Sequence, residues 1–362
     1  MPPAHRDPFR ASITEDPAML FRKPPSLPLR AEAVDPSRRD FLAMACACCA
    51  MAALPADPAK AQSAAVQRHL AAARAAAGDD LLSYLRLSEI VAPTPGARPM
   101  SPDELMRLPA PPPGKAFDNL FFVGSRWVSA WALVTSDGII LIDAMDNDDE
   151  AEHIIDAGMR RLGLDPAAIK MVIVTHGHGD HYGGVGYLKR RYAPRIVASS
   201  LDWTMMETQL EFDRPDWGRP PQRDMAVEDG SVLRLGDTSV AVILTPGHTM
   251  GTISLAFDVR DGARTHRALL WGGTAFNFGR RPDRLVRLQA YIDGTARVRD
   301  RAGREGMDVF ISNHPIYDEA VDKLGRMGDG RPNPFVIGTA ATQRALTVMH
   351  ECALATMEVW KG

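Results

Sequence analysis

One stretch limits what this chain can become more than any other: residues 171–187, MVIVTHGHGDHYGGVGY. Met171-Val172-Ile173-Val174 is an apolar, β-branched run that reads as a buried strand. It empties into a loop that carries His176, His178, Asp180 and His181, with Gly177 and Gly179 between them. Glycines at alternate positions let the backbone turn tightly enough for the side chains to converge. Three imidazoles and a carboxylate gather cheaply only around something positive, and a transition-metal ion is the natural partner. A polar turn whose histidines face water independently is the plainer alternative. Four potential ligands in six residues at a strand end favour the metal.

The H-x-H-x-D-H pattern resembles the signature of the metallo-β-lactamase superfamily. The likeness continues into Thr245-Pro246-Gly247-His248-Thr249 and Ser312-Asn313-His314-Pro315, and covers roughly residues 117 to 355. Of the 10 histidines in the chain, His176, His178, His181, His248 and His314 fall on motif positions. The resemblance implies an α+β fold, a four-layer αββα sandwich with the site at one edge of two sheets. Periodicity alone gives only a mixed α and β domain.

Carried over motif by motif, the resemblance implies two Zn2+ ions. His176, His178 and His248 would hold the first, and Asp180, His181 and His314 the second. Imidazole and carboxylate ligands suit zinc, although iron and manganese are compatible with the same donors. Zinc lowers the pKa of bound water to about 7, which yields hydroxide at neutral pH. Asp180 is the expected catalytic residue, orienting that hydroxide toward a carbonyl. Asp143, at the end of Ile139-Ile140-Leu141-Ile142, matches a superfamily aspartate close behind the ligands; a plain turn residue is the alternative.

One departure from the family pattern is informative. Many superfamily hydrolases, including glyoxalase II-like thioesterases, lactonases and phosphodiesterases, have a bridging Asp in a stretch like L-F-x-G-D-T-L-F. Here the stretch reads Leu269-Leu270-Trp271-Gly272-Gly273-Thr274-Ala275-Phe276, with Gly273 at the Asp position. True metallo-β-lactamases lack that Asp, and those of the third subclass use the extra motif histidine, here His181. The expected activity is therefore opening of a β-lactam or similar cyclic amide. A hydrolase of the same fold acting on an ester, lactone or thioester is the first alternative, and a non-catalytic exported metal-binding protein the second. Thr274 and Asn277 are candidate substrate contacts, with loop capping as the alternative; Arg280 and Arg281 read as a solvated pair.

The rest of the chain organises around this domain. Residues 1–61 read as an export leader: a Pro- and Arg-rich start, then Ser37-Arg38-Arg39-Asp40-Phe41-Leu42, a twin-arginine pattern, opening onto an apolar stretch to Leu54. That stretch is short for a membrane span and fits a signal h-region, with Ala59-Lys60-Ala61 ahead of Gln62 as a cleavage site. The expected destination is the periplasm or exterior. Cys46, Cys48 and Cys49 lie in the leader, so the mature chain keeps Cys352 alone and cannot form an internal disulfide. Residues 62–116 read as an Ala-rich helix (62–77) followed by a Pro-rich extended arm (91–114), and 117–362 as the catalytic domain. His69 reads as a surface residue. Asp213–Arg223, rich in Pro and Gly, cannot be regular structure, and Trp217 within it is a candidate lid over the site, with simple surface packing as the alternative. A net charge of −3 gives no reason to expect a nucleic-acid partner. A monomer acting on a small molecule, with no stable membrane insertion after cleavage, completes the expectation.

Overall fold

The computed structural model describes residues 63–93, 100–328 and 330–361. The twin-arginine pattern, the h-region and the cleavage site lie outside the described residues. Strands β1 (Gly114–Phe117), β2 (Leu120–Phe122), β3 (Trp131–Thr135), β4 (Gly138–Ile142), β5 (Ile169–Ile173), β6 (Arg195–Ser199) and β7 (Met225–Val227) form one sheet in sequential order. Its first half is antiparallel; β4 through β7 run parallel. The second sheet holds β8 (Val232–Leu235), β9 (Thr238–Leu244), β10 (Ile253–Asp261), β11 (Arg264–Trp271) and β12 (Met307–Ser312), in the order β12-β11-β10-β9-β8. β12 is parallel to β11 and the other pairs are antiparallel.

The wholly apolar β4 is explained by burial on both faces. Ile140 and Ile142 point between the sheets, where they meet Trp131, Leu133, Val242, Leu255, Phe257 and Leu270. Ile139 and Leu141 point the other way, into a layer with Ile155, Met159, Val185, Leu188 and Trp203. The outer face of the second sheet, through Ile243, Ala256, Leu269 and Phe310, is covered by helices. These are α1 (Ala64–Ala77), α3 (Arg284–Glu305) and α4 (Thr339–Trp360); α2 (Ser200–Thr208) lies on the first sheet's side. The result is four layers, helix–sheet–sheet–helix. No helix among the described residues is long and apolar enough to cross a membrane.

The N-terminal segment departs from its expected form. α1 buries Val66, Ala73 and Ala77 in the same core as Leu346, Met349 and Cys352 of α4, so it is an integral part of the outer layer. His69 is accordingly half-buried and paired with Glu351 at 2.7 Å. The Pro-rich arm is interrupted by a short helix, Pro102–Met106, because Ser101 and Glu104 form a reciprocal capping box. A 3-10 stretch, Leu82–Ile90, precedes it and seats Tyr84 and Leu87 in the core. Cys352 packs in that core, and burial pushes its thiol up to about 12, which makes it inert.

Candidate metal centre

The ligand motifs sit where strands end. β5 runs into Thr175-His176, β9 into Thr245–His248, β12 into Asn313-His314, and β4 into Asp143. Rigid strands thus deliver side chains from both sheets to one mouth. The ligating atoms of His176, His178 and His248 lie within 4.8 Å of one another, and so do those of His176, Asp180 and His181. His314 completes the second group: its Nε2 is 3.3 Å from His181 Nε2 and 3.9 Å from Asp180 Oδ2. All six side chains are buried.

Whether these residues fit metal ions is decided by which nitrogen of each ring is free. His176 Nδ1 lies 2.8 Å from the Gly272 carbonyl, His248 Nδ1 2.8 Å from the Ala275 carbonyl, and His314 Nδ1 2.7 Å from the Trp127 carbonyl. A carbonyl only accepts, so each Nδ1 carries the proton and each Nε2 presents a lone pair to the centre. His176 and His248 Nε2 then face each other at 3.0 Å. Burial, reinforced by the neighbouring imidazoles, holds His176 and His248 well below the usual histidine range. His314 is pushed down to about 4, again mainly by burial. Neutral rings with opposed lone pairs repel unless a cation lies between them. The donor set fits a pair of divalent ions.

The Asp180–His181 pair behaves differently. Burial alone would lower His181, but the Asp180 and Asp143 carboxylates overcome it and bring the imidazole up to about 10. Asp180 is held below the carboxylate range by His181 and His314, against the pull of burial.

Asp143 is fully buried and accepts from Thr175 N–H at 2.8 Å, from the Thr175 hydroxyl at 2.9 Å and from His181 Nδ1 at 2.8 Å. Its φ of 61° is the left-handed region that non-glycine residues avoid, and three bonds over-determine it there. Thr274 is buried, and its hydroxyl is bonded to Ser312 Oγ at 3.2 Å, which braces two strand ends. Asn277 retains a buried Oδ1 without a partner. Arg281 pairs with Asp283 at 3.1 Å, and Arg280 is exposed.

Trp217 is not a lid. It is buried against the ligand loop, so close that a Cβ on Gly179 would lie 2.3 Å from its ring, and only glycine fits. The residues just ahead of the irregular segment, Glu211 and Phe212, reach the site instead, and sequence reasoning passed them over. Phe212 stands edge-on to His178 with ring centroids 4.8 Å apart. Glu211 Oε2 lies 3.4 Å from His178 Nε2, and Glu211 also pairs with Arg287. Against the pull of burial, His178 and then Arg287 bring Glu211 down to about 2. Asp202 was missed as well. Its carboxylate accepts from Gly177 N–H at 2.8 Å, the Thr249 hydroxyl at 2.8 Å and Gly251 N–H at 3.1 Å, which ties two ligand loops together. No local pattern marks either acid.

Asp318 fixes the turn after His314 by accepting from Ser312 N–H at 2.9 Å and Ala320 N–H at 3.0 Å. Burial nonetheless raises it to about 6, with Lys323 opposing. Against about 3.9 in the unfolded chain, this contribution to stability is fully present below about pH 4 and is lost as pH rises through 6. Relative to the non-titrating Asp318→Asn, wild type should lose roughly 2 kcal/mol of unfolding free energy between pH 4 and 7, at about 1.36 kcal/mol per unit. Denaturant titrations of both proteins across that range check this; a gap that moves the other way would mean that Asp318 is stabilised as the carboxylate.

Comparison with known proteins agrees with this geometry. The sequence profile of the Metallo-beta-lactamase superfamily matches residues 126–260. A hydroxyacylglutathione hydrolase of Nitrobacter winogradskyi is 30% identical over 226 residues, 59% of this chain and 80% of the relative. One from Rhodopseudomonas palustris strain BisB5 is 38% identical over 108 residues, so the chain spans about a third of that relative's length. Among solved structures, BJP-1, a subclass B3 metallo-beta-lactamase of Bradyrhizobium japonicum, has a TM-score of 0.56 at 28% identity, covering 65% of this chain and 90% of that one. Native FEZ-1 from Legionella gormanii has a TM-score of 0.56 at 22% identity, covering 66% and 93%, a likeness of fold alone. The chain belongs to the metallo-β-lactamase superfamily, whose members are metal-dependent hydrolases with a two-ion site.

Proposed function

We propose that this chain is a zinc hydrolase of the third metallo-β-lactamase subclass, opening a β-lactam or similar cyclic amide. Gly273 carries the proposal. A Cβ there would lie 2.7 Å from His248 Cβ and 3.0 Å from both His248 Cγ and Thr252 Cγ2. The strand end has no room for the bridging carboxylate that, by the family resemblance, thioesterase and lactonase members use.

His176, His178 and His248 would hold one ion, and Asp180, His181 and His314 the other. Bound there, the pair would acidify water and polarise a carbonyl, which supplies the nucleophile without a strong side-chain base. The chain's own residues do the rest. Asp180, kept ionised, would orient the attacking water. Asp143 fixes the ring of His181, and the carbonyls of Gly272, Ala275 and Trp127 fix three others. Trp127 lies against His314 with centroids 4.4 Å apart, as Phe212 lies against His178, so aromatic rings flank the ligand cluster.

The second reading is thioester hydrolysis. It is favoured by the Nitrobacter winogradskyi likeness, which spans most of that hydroxyacylglutathione hydrolase. Turnover of a chromogenic cephalosporin and of a glutathione thioester, each with and without chelator, separates the two. Chelator-sensitive cephalosporin hydrolysis is expected. Thioester hydrolysis with no lactam turnover by protein loaded with two zinc ions would reverse the assignment. We further propose export by the twin-arginine route, in which case replacing Arg38 and Arg39 by Lys traps the precursor inside the cell.

A further inference from the structure

Four of the ligating histidines are oriented by backbone carbonyls or by a buried carboxylate that the backbone itself holds. His176, His248 and His314 bond backbone carbonyls, and His181 bonds Asp143. His178 is the exception. Its outer nitrogen, Nε2, faces Glu211 Oε2 at 3.4 Å, which leaves Nδ1 for an ion. Glu211 lies in a stretch without helix or strand, between α2 and β7. A carboxylate on such a stretch orients nothing unless it is itself anchored.

The anchor is Arg287, on α3. It is 3% exposed, and both of its terminal nitrogens engage the two Glu211 oxygens, one at 3.1 Å and the other closer. Its Nε donates to Asp283 at 2.8 Å, and Nη1 also donates to the His248 carbonyl at 3.1 Å. A buried guanidinium with this two-pronged grip is the geometry that fixes a carboxylate in place. Arg287 therefore reaches two of the three histidines of one ion, His248 directly and His178 through Glu211.

We propose that Glu211, clamped by Arg287, is the positioning residue that orients His178 and sets the affinity of the three-histidine ion. This rests on the two-ion reading of the site. Partners of this kind are worth about 10–100-fold in metal affinity. The test is competition for Zn2+ against a chromophoric chelator, together with the visible spectrum of Co2+-loaded protein. Wild type should bind two ions. Glu211→Ala should weaken one of them about 10–100-fold, leave the other unchanged, and alter the Co2+ bands. Glu211→Gln keeps an oxygen acceptor and should fall between the two, and it carries the test if the alanine protein does not fold. Glu207→Gln, which breaks the exposed ion pair with Arg223 near the same stretch, should match wild type. Glu211 variants that hold both ions as wild type does, with an unchanged Co2+ spectrum, overturn this role while the site stands. Wild type binding no ion pair would overturn both.

Discussion

The His176→Ala protein is expected to fold, to bind fewer than two divalent ions and to lose at least about three orders of magnitude in hydrolysis. His176 is common to both ligand groups, and its Nε2 faces that of His248 at 3.0 Å. Its ligating nitrogen thus lies where the two groups meet. Metal-assisted stabilisation of developing charge is worth several kcal/mol, and each ~1.36 kcal/mol is a factor of ten in rate. Folding should survive because the Gly272 carbonyl, which His176 would abandon, keeps the Asn313 side-chain N–H at 2.7 Å. Elemental analysis with cephalosporin turnover checks this. Activity within tenfold of wild type would remove the ions from the mechanism.

Gly273→Asp should be the other severe substitution, and it bears on the choice of substrate. In a thioesterase-like site the new carboxylate would complete the bridging position and improve hydrolysis. In this chain its Cβ meets His248 Cβ at 2.7 Å, and His248 is held by the Ala275 carbonyl. Thr252, the other obstacle, is buried and bonded to Thr249. Neither neighbour can yield cheaply, because interiors are packed to crystal density. Overpacking costs about 1–3 kcal/mol, and an acid forced into the strand end adds to it. A melting temperature several degrees lower, with His248 displaced and turnover lost, is the expected result. A variant of wild-type stability that gains thioester hydrolysis would instead favour the thioesterase reading.

The parts of the site that could be read early share a physical character. His176, His178, Asp180 and His181 fall within six residues, fixed by a strand that ends and glycines that turn. His248 and His314 also follow apolar strands. Such patterns are local, so they survive in one dimension. Glu211 and Arg287 are 76 positions apart, and Asp202 lies 25 and 47 positions from the groups it joins. Each of these is, in sequence, one acid or arginine among many. Trp217 went astray for the converse reason: membership of an irregular segment does not reveal which way a side chain packs.

The sequence by itself determined the histidine-rich motifs at strand ends and the glycine at position 273, because each is written in neighbouring residues. Tertiary structure alone decided which ring nitrogens are free and that α1 belongs to the outer layer. It also decided that an arginine on α3 clamps the carboxylate behind His178. Those depend on where distant segments meet, and burial makes each meeting count: an unpaired polar group there costs far more than it would in water.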